Sequence, residues 1–486
     1  MAGARRSTGQ RFFSFLFAAG LVLPLLAGPS VRPAVAQAIT GTTGTTGTTG
    51  TTGTTGTTGT ISSGGILVDP QGVVRPMFHL ERSGKLDKKR RQELAGKSLP
   101  GDLNETSPLR KVSLVKLEAA CQEFARDRSH VTSEMQFLAG LQRIDCVFVD
   151  PEGKDIVIAG PAEGYLVDNF GRAIGVTTGR PALRLDDLIV ALRALERGGG
   201  FIRCSIDPTE ANLAKLAAYV KQNSDASTVE AAQARFEQLG AILGMQNVSL
   251  SGVPAESHFA ELLVEADIKM KRLAIGLDKA KVKNFRSHLA MVAPGGNSVQ
   301  RWWFTPLYDS FTKTEDGLAF QFAGQRVQLL SQEELVSDAG GRTDAPFKRV
   351  STEKFSKQFT DRYTELADAT PVFAELQSVF DLAVLAALIK KEGLARRVRW
   401  PMALFLDSER ATIVKQNVPH QVQSVSNYKV VGGQTFVAQV SGGVVIDPWQ
   451  VLKRNEYRKD AGGELKTARS KALPAEGPET HRWWWD

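Results

Sequence analysis

The chain has 486 residues, of which 42% are hydrophobic and 23% are charged, and its formal net charge is +8. These proportions are ordinary for a soluble globular protein, so they exclude a chain that is fibrous or disordered throughout. Residues 1–36 contain four arginines and no acidic residue, which leaves the remainder at only +4. Such mild basicity does not indicate a nucleic-acid partner, and none is predicted.

The first 36 residues have the pattern of an export signal. Three arginines precede an apolar stretch from Phe12 to Ala27, and the small residues Ala34 and Ala36 form a cleavage site before Gln37. The apolar stretch is shorter than the roughly 20 residues of a membrane-spanning helix, and Pro24 interrupts it. We therefore predict cleavage, no transmembrane span in the mature protein, and a location in the periplasm, cell envelope or extracellular space. An uncleaved N-terminal anchor is the alternative.

A low-complexity segment follows the signal. From Gly41 to Thr60 the chain repeats Gly-Thr-Thr, with no proline. Glycine at every third position resembles collagen, but a collagen helix depends on proline-rich triplets. Residues 37–63 are therefore predicted to be a disordered linker.

The predicted N-terminal domain covers residues 64–221. Two segments, Ile66 to Val74 and Val147 to Ala159, each contain a pair of apolar runs separated by an Asp-Pro turn, which predicts hairpins. The same Asp-Pro turn follows the apolar run Val444 to Ile446 at Asp447, which predicts a third hairpin turn there. Amphipathic helices are predicted from Ser113 to Phe124 and after Asp186. Alternating strands and helices indicate an α/β domain that ends in the polar, small residues 221–228.

The predicted C-terminal α/β domain covers residues 228–452. Its long amphipathic helix, Ala255 to Ile275, has four-residue spacings that predict exposed ion pairs, Glu265 with Lys269 and Asp267 with Lys271. The fold class is therefore α/β, with mixed sheets and packed helices in two blocks. Residues 453–486, rich in charged residues, glycine and proline, are predicted to be a disordered tail.

A nearly all-apolar helix is predicted from Pro371 to Lys390. Glu375, Gln377 and Asp381 interrupt its apolar sequence. These polar residues favour a buried core helix over a membrane span.

The three cysteines, Cys121, Cys146 and Cys204, lie among apolar residues, which predicts buried free thiols. One disulfide is the alternative. The six histidines never fall within ten residues of one another, so neither a metal centre nor a cofactor is predicted. Ser351 and Lys354 fit an SxxK pattern, but the helix that carries them is predicted to be exposed, and Ser351 is interpreted as its N-cap.

The candidate binding residues are Arg301, Trp302 and Trp303, the densest aromatic cluster of the predicted folded part. Adjacent tryptophans in a strand point in opposite directions, so at most one belongs fully to the core. Core and turn packing is the favoured role of this segment, and a groove lined by the other tryptophan is the alternative. The weaker catalytic candidates are the nearby carboxylates, which could act as general acid and base. These are Asp309, Glu315 and Asp316.

Several segments resemble an uncharacterised family of exported bacterial proteins, classed as a domain of unknown function. They are Leu263 to Leu277, Arg301 to Phe304, Glu315 to Phe320 and Gly324 to Val327. The resemblance covers roughly residues 244–394, within the predicted C-terminal domain. It implies no activity, ligand or catalytic residue.

We predict an exported, non-catalytic envelope or extracellular protein that binds another macromolecule, either an envelope protein or a polysaccharide. The alternative is a carboxylate-dependent, glycosidase-like hydrolase. An active site would require Asp267, Trp302 and the three candidate carboxylates to meet in one concave pocket. Scattered, exposed carboxylates would favour the binding protein.

Overall fold

The computed structural model describes residues 65–68, 74–77, 92–96, 99–126, 131–222, 229–292, 299–431, 434–454, 457–473 and 482–486. The predicted signal (residues 1–36) and the predicted linker (residues 37–63) lie outside the described residues. The predicted α/β class with mixed sheets is confirmed.

The strands are numbered in chain order. They are β1 (Gly65–Val68), β2 (Val74–Met77), β3 (Ser107–Ser113), β4 (Cys146–Asp150), β5 (Asp155–Ala162), β6 (Tyr165–Val167), β7 (Ala173–Gly175), β8 (Ile202–Pro208), β9 (Met245–Ser251), β10 (Val299–Leu307), β11 (Thr312–Lys313), β12 (Ala319–Gln321), β13 (Arg326–Val336), β14 (Arg342–Asp344), β15 (Gln421–Gln423), β16 (Ser426–Val431), β17 (Gln434–Ile446), β18 (Arg458–Lys459) and β19 (Trp484–Trp485).

Helices separate and cover the strands. Four of them are named here: the sheet-covering helix His258–Ala274, the groove helix Val350–Asp361, the central helix Pro371–Lys391 and the tail helix Glu464–Ala472. The others are Leu114–Arg126, Ser133–Gln136, Leu185–Gly198, Glu210–Gln222, Val229–Leu243, His288–Met291, Tyr363–Ala369, Leu394–Arg397 and Pro448–Arg454, with a 3-10 turn at Leu138–Gly140 and a short helix at residues 92–96.

An eight-stranded sheet has the order β14-β13-β10-β17-β8-β9-β15, with β16 paired to the first half of β17. β10 and β17 are parallel, and the other pairs are antiparallel. Gly442 and Gly443 let β17 lie between its neighbours, since a Cβ on Gly443 would lie 2.0 Å from the Cys204 carbonyl oxygen. This sheet carries the candidate Arg301-Trp302-Trp303 segment.

A seven-stranded sheet has the order β18-β11-β12-β4-β5-β3-β19. The β1–β2 and β4–β5 hairpins form at the first two predicted Asp-Pro turns. At the third, Asp447 instead caps the helix Pro448–Arg454 by accepting from the Trp449 and Gln450 amides, so a hairpin prediction there is wrong.

The two predicted blocks share both sheets. β8, from the first block, pairs with β9 and β17 from the second. β12, from the second block, pairs with β4 from the first. The domain boundary at residues 221–228 stays a prediction. Strands from before and after it pair within the same sheets.

The central helix is buried along almost its whole length, as its apolar sequence predicted. By length and composition it is the one helix of the described residues that could cross a membrane, but its apolar window is wholly buried inside the protein. Glu375, Gln377 and Asp381 are 3%, 7% and 0% exposed. Buried polar groups of this kind need partners, because an unpaired one costs several kilocalories per mole, roughly 2 to 7.

Each of these three polar side chains has an arginine partner. Glu375 accepts from Arg172 Nε at 2.6 Å, and Gln377 accepts from Arg180 at 2.5 Å. Asp381 accepts from the Tyr308 hydroxyl at 2.8 Å and the Ile144 amide at 3.1 Å, and it pairs with Arg326 at 3.3 Å. The helix is thus tied to the β6–β7 region, to the loop before β4 and to the start of β13.

The three cysteines are free and buried, as predicted. Burial raises the pKa of both the Cys121 and the Cys146 thiols to about 12. A thiol that stays protonated at neutral pH is a poor nucleophile and a poor metal ligand.

The prediction of a disordered tail over residues 453–486 is wrong for the residues that the structure describes there. Residues 464–472 form the tail helix, and β19 adds to the edge of β3. Trp484 and Trp485 are only 3% and 5% exposed. The prediction of disorder came from the average composition of this segment, which gave too little weight to these aromatic side chains. Each can bury roughly 150 to 250 Å².

Arg110 holds the end of the chain in place. Its side chain is fully buried, and it donates to the Ala139 carbonyl at 2.8 Å. Its Nε and Nη2 donate to the two carboxylate oxygens of Asp486 at 2.9 and 2.8 Å. The guanidinium also lies 4.7 Å from the Trp484 ring centroid. Electrostatic and apolar contacts therefore act together at this edge of the sheet.

We expect Trp484→Ala to lower the free energy of unfolding by about 3 to 5 kcal/mol, because it removes a buried ring of the hydrophobic core. Urea denaturation followed by circular dichroism measures this loss. Trp483→Ala is the matched control, since Trp483 is only half-buried and should cost less. A loss below about 1 kcal/mol for Trp484→Ala would contradict the observed docking.

Candidate functional site

Strand β10 separates the two candidate tryptophans. Trp302 is fully buried, with ring centroids 5.0 Å from His288 and 5.2 Å from Phe355 of the groove helix. Trp303 is half-buried on the opposite face of the sheet. The prediction that at most one of the pair lies fully in the core is therefore confirmed, because successive side chains of a strand alternate between faces.

The neighbours of Trp303 explain its partial exposure. In the register of the sheet it lies opposite Leu330 on β13 and opposite Gly443 on β17. Gly443 presents no side chain to cover the indole, and Leu330 is itself 38% exposed. The ring is therefore supported by the sheet but not enclosed by it.

Arg301 lies beside the indole. Its guanidinium carbon is 5.7 Å from the Trp303 ring centroid, and Nη1 is 3.5 Å from Glu334. Glu334 in turn lies 3.1 Å from Arg342, which pairs with Asp207 of β8 at 2.9 Å. This series of alternating charges crosses the sheet and holds the arginine against the aromatic ring, a favourable cation–π arrangement.

An open groove of about 660 Å³ runs along the edge of β13, from the sheet face that carries Trp303 and Leu330 to the side of the groove helix, which packs on the other face. It is lined by Trp303, Leu330, Ser331, Gln332, Lys348, Val350, Glu353, Lys354, Ser356 and Lys357. Val350, Lys354 and Lys357 form one stripe because residues four and seven positions apart lie on the same side of a helix. The β13 edge and this side of the helix thus line one open surface, which we call the Trp303 groove.

The groove is positively charged. Lys348, Lys354 and Lys357 are exposed, and Glu353 is the one acidic residue among the described groove-lining side chains. Lys357 forms a surface ion pair with Asp361 at 2.6 Å, which solvent screens. The excess of cations favours an anionic ligand.

Apolar side chains are exposed at the same place. Leu330 and Val350 line the groove and are 38% and 64% exposed. Phe347, three residues before Val350, is 46% exposed. A cluster of exposed apolar residues beside polar ones is typical of an interaction surface.

The candidate carboxylates lie elsewhere. Asp309, Glu315 and Asp316 are all exposed, and none of them lines the Trp303 groove. Asp316 holds the turn between β11 and β12, because its Oδ1 accepts from the Thr314 hydroxyl at 2.7 Å and from the Leu318 amide at 2.9 Å. The structure does not bring the carboxylates and the tryptophan pair into one pocket.

Asp267 lies on the sheet-covering helix and is fully buried, as is its partner Lys271, at a distance of 2.8 Å. Lys271 also donates to the Ile206 carbonyl of β8 at 2.8 Å. Burial raises the pKa of Asp267 to about 6. The predicted pairing of Asp267 with Lys271 is correct. The prediction that this pair is exposed is wrong, because this side of the helix packs against the sheet.

The second predicted ion pair of the sheet-covering helix does not form. Glu265 pairs with Arg172, whereas Lys269 pairs with Asp278 at 2.8 Å. Sequence spacing identifies partners on one helix only, and both residues found partners from other segments instead.

Ser351 is not the N-cap of the groove helix, which begins at Val350 after Arg349. Its hydroxyl instead lies 3.1 Å from His288 Nε2. Burial lowers the pKa of His288 to about 4, so the imidazole is neutral and a weak base. His288 Nδ1 has no hydrogen-bond partner among the described residues, so no carboxylate orients the ring as in a hydrolase triad.

Sequence reasoning missed a buried cluster of charges at the start of the sheet-covering helix. His258 Nδ1 lies 2.9 Å from Asp187, and its Nε2 lies 3.9 Å from Glu375 of the central helix. Arg172 bridges Glu375 and Glu265. His258 is only 8% exposed, which suits a structural role better than contact with a ligand. No short-range signal could reveal the cluster, since Asp187 and His258 are 71 residues apart.

The pKa of His258 is raised. Burial lowers it, but the charge of Asp187 and the hydrogen bond to it act in the opposite direction and outweigh burial. Glu375 adds to the upward shift, and Arg184 opposes it. The folded protein therefore favours the protonated imidazole.

We expect stability to fall as the pH rises above 6.5, the ordinary pKa of histidine. Above pH 6.5 the folded state still holds a proton on His258 that the unfolded state has lost. The stabilisation that protonated His258 contributes is therefore complete below pH 6.5 and is lost as the pH rises past the raised pKa. Urea denaturation from pH 6.5 to about 8, below the ordinary range of cysteine titration, measures the slope.

His258→Gln should flatten this slope. His288→Gln is the control: the pKa of His288 is lowered in the folded protein, so this residue makes stability rise slightly with pH near 6.5, and its removal should steepen the fall rather than flatten it. An unaltered slope in His258→Gln would show that another group causes the pH dependence.

Residues 204–288 match a family described as protein of unknown function (DUF1598). The matched segment runs from β8 to His288 and contains the sheet-covering helix. It includes the Leu263 to Leu277 segment of the predicted resemblance, whereas the segments from Arg301 onward lie beyond it. No curated protein and no solved structure matches the chain. The match confirms an uncharacterised family for residues 204–288.

Proposed function

We propose that this protein is an exported, non-catalytic protein that binds an anionic macromolecule in the Trp303 groove. One observation supports this most: a half-buried tryptophan shares an open groove with three exposed lysines. Lysines attract an anionic partner over several ångströms, and an aromatic side chain supplies contact area at short range. The combination suits recognition of a large, charged molecule.

The sheet gives the groove a rigid floor. Trp303 is part of a strand paired on both sides, and Arg301 is held by Glu334. A binding surface on regular strands loses little conformational entropy when a ligand binds. This preorganisation favours binding without a large structural change.

The hydrolase alternative receives no support from the groove. A glycosidase needs two carboxyl groups on either side of the scissile bond, roughly 5 to 9.5 Å apart. Glu353 is the one acidic side chain among the described residues that line the Trp303 groove, and the three candidate carboxylates lie outside it. We therefore propose binding rather than catalysis.

Export is the part of the proposal that the N-terminal sequence supports. Mass spectrometry of the protein secreted by its native host should find Gln37 at the mature N-terminus, because cleavage follows the small residues Ala34 and Ala36. A chain that keeps its apolar stretch in the membrane fraction would indicate the uncleaved anchor instead.

We expect Trp303→Ala to weaken binding about tenfold or more, while changing the free energy of unfolding little. Suitable anionic probes are polyglutamate and polygalacturonate, with dextran as the neutral control, and calorimetry gives the affinity. Trp302→Ala should instead lower the free energy of unfolding by about 3 to 5 kcal/mol, because this ring is fully buried. Two strongly destabilised variants, or equal binding of dextran, would contradict the proposal.

Charge reversal gives a matched comparison for the same measurement. Lys354→Glu should weaken binding of the anionic probe, and the loss should shrink as added salt screens the lysines. Lys221→Glu changes the net charge equally at a side chain that is 68% exposed and outside the groove, so it should bind normally. Equal losses in both variants would show a nonspecific effect of net charge.

A further inference from the structure

We infer that the ligand of the Trp303 groove is an acidic polypeptide segment that carries apolar side chains. This inference rests on the proposed function and names the class of its partner. Lysines alone would accept any polyanion, so the other groups of the groove decide between a polypeptide and a polysaccharide.

The exposed apolar side chains favour a polypeptide. Leu330 and Val350 line the groove at 38% and 64% exposure, and Phe347, which precedes the groove-lining Lys348 in the chain, is 46% exposed. Burial of aliphatic side chains stabilises a complex only when the partner offers apolar surface in return. Apolar side chains of a polypeptide provide that surface, whereas an acidic polysaccharide presents mostly hydroxyl and carboxylate groups.

The position of Arg301 also argues against a sugar. Its guanidinium carbon lies 5.7 Å from the centroid of the Trp303 ring and covers one face of the indole. Sugars bind tryptophan mainly by stacking on an open ring face. Here the ring is flanked by Leu330 in the sheet, which suits lateral contact with an apolar side chain better.

The groove helix sets a spacing that an extended segment can match. Val350 and Lys357 are seven residues apart, which corresponds to about 10 Å along a helix. An extended polypeptide advances about 3.3 Å per residue, so roughly three residues span this distance. A peptide with an apolar residue followed by acidic residues could therefore contact Val350 and Leu330 with the first and Lys354 and Lys357 with the others.

Three probes distinguish the classes of partner with the intact protein. They are a glutamate–tyrosine copolymer, polyglutamate and polygalacturonate, each measured by calorimetry at the same charge concentration. We expect the copolymer to bind about tenfold more tightly than polyglutamate, because its aromatic side chains cover Leu330 and Val350. Polygalacturonate should bind most weakly.

Two surface substitutions locate the contact. Val350→Ser should reduce copolymer affinity to the level of polyglutamate, since Val350 is 64% exposed and contributes little to the fold. Val414→Ser is the matched control, because Val414 is 53% exposed and does not line the groove. It should bind the copolymer as the unmodified protein does.

Each remaining outcome has one meaning. Polygalacturonate binding more tightly than the copolymer would overturn the polypeptide inference and leave the proposed function in place. Equal affinity for copolymer and polyglutamate would overturn the apolar part of the inference. If none of the three polyanions binds, the proposed function fails as well.

Discussion

The burial of the central helix is the constraint on which the rest of the structure depends. An apolar helix of 21 residues needs cover on every side, yet it carries Glu375, Gln377 and Asp381 into the interior. These groups are tolerated because arginines from other segments reach them: Arg172, Arg180 and Arg326. Removal of one partner would leave a buried polar group unpaired, which costs more than the pair itself contributes. The surrounding elements are therefore fixed relative to this helix.

The same buried interactions position the Trp303 groove. Arg326 begins β13, and its pairing with Asp381 anchors the start of that strand. The antiparallel register of β13 with β10 then places Leu330 opposite Trp303. Because sheet register is discrete, a shift by one residue would turn Leu330 to the other face. The surface groove is thus a consequence of polar contacts made in the core.

Alternation and periodicity predicted what depends on neighbouring residues. The opposite directions of Trp302 and Trp303 follow from strand geometry alone. The contact of Asp267 with Lys271 follows from helical spacing, but not its burial. Four-residue spacing predicts which side chains of one helix can pair. Which side of the helix is buried depends on the sheet that packs against it. The tail was mispredicted for a related reason, because average composition says nothing about the Arg110 site that receives Trp484 and Asp486.

By itself, the sequence determined the types of elements, the buried thiols, the apolar character of the central helix and the division of the tryptophan pair between two faces. Tertiary structure alone decided which distant residues meet. It brought His258 to Asp187, left the candidate carboxylates outside the groove, and brought Lys354 and Trp303 to the same groove. The physical reason is range: propensity and periodicity act over a few residues, but convergence depends on strand register and helix packing between segments far apart in the chain.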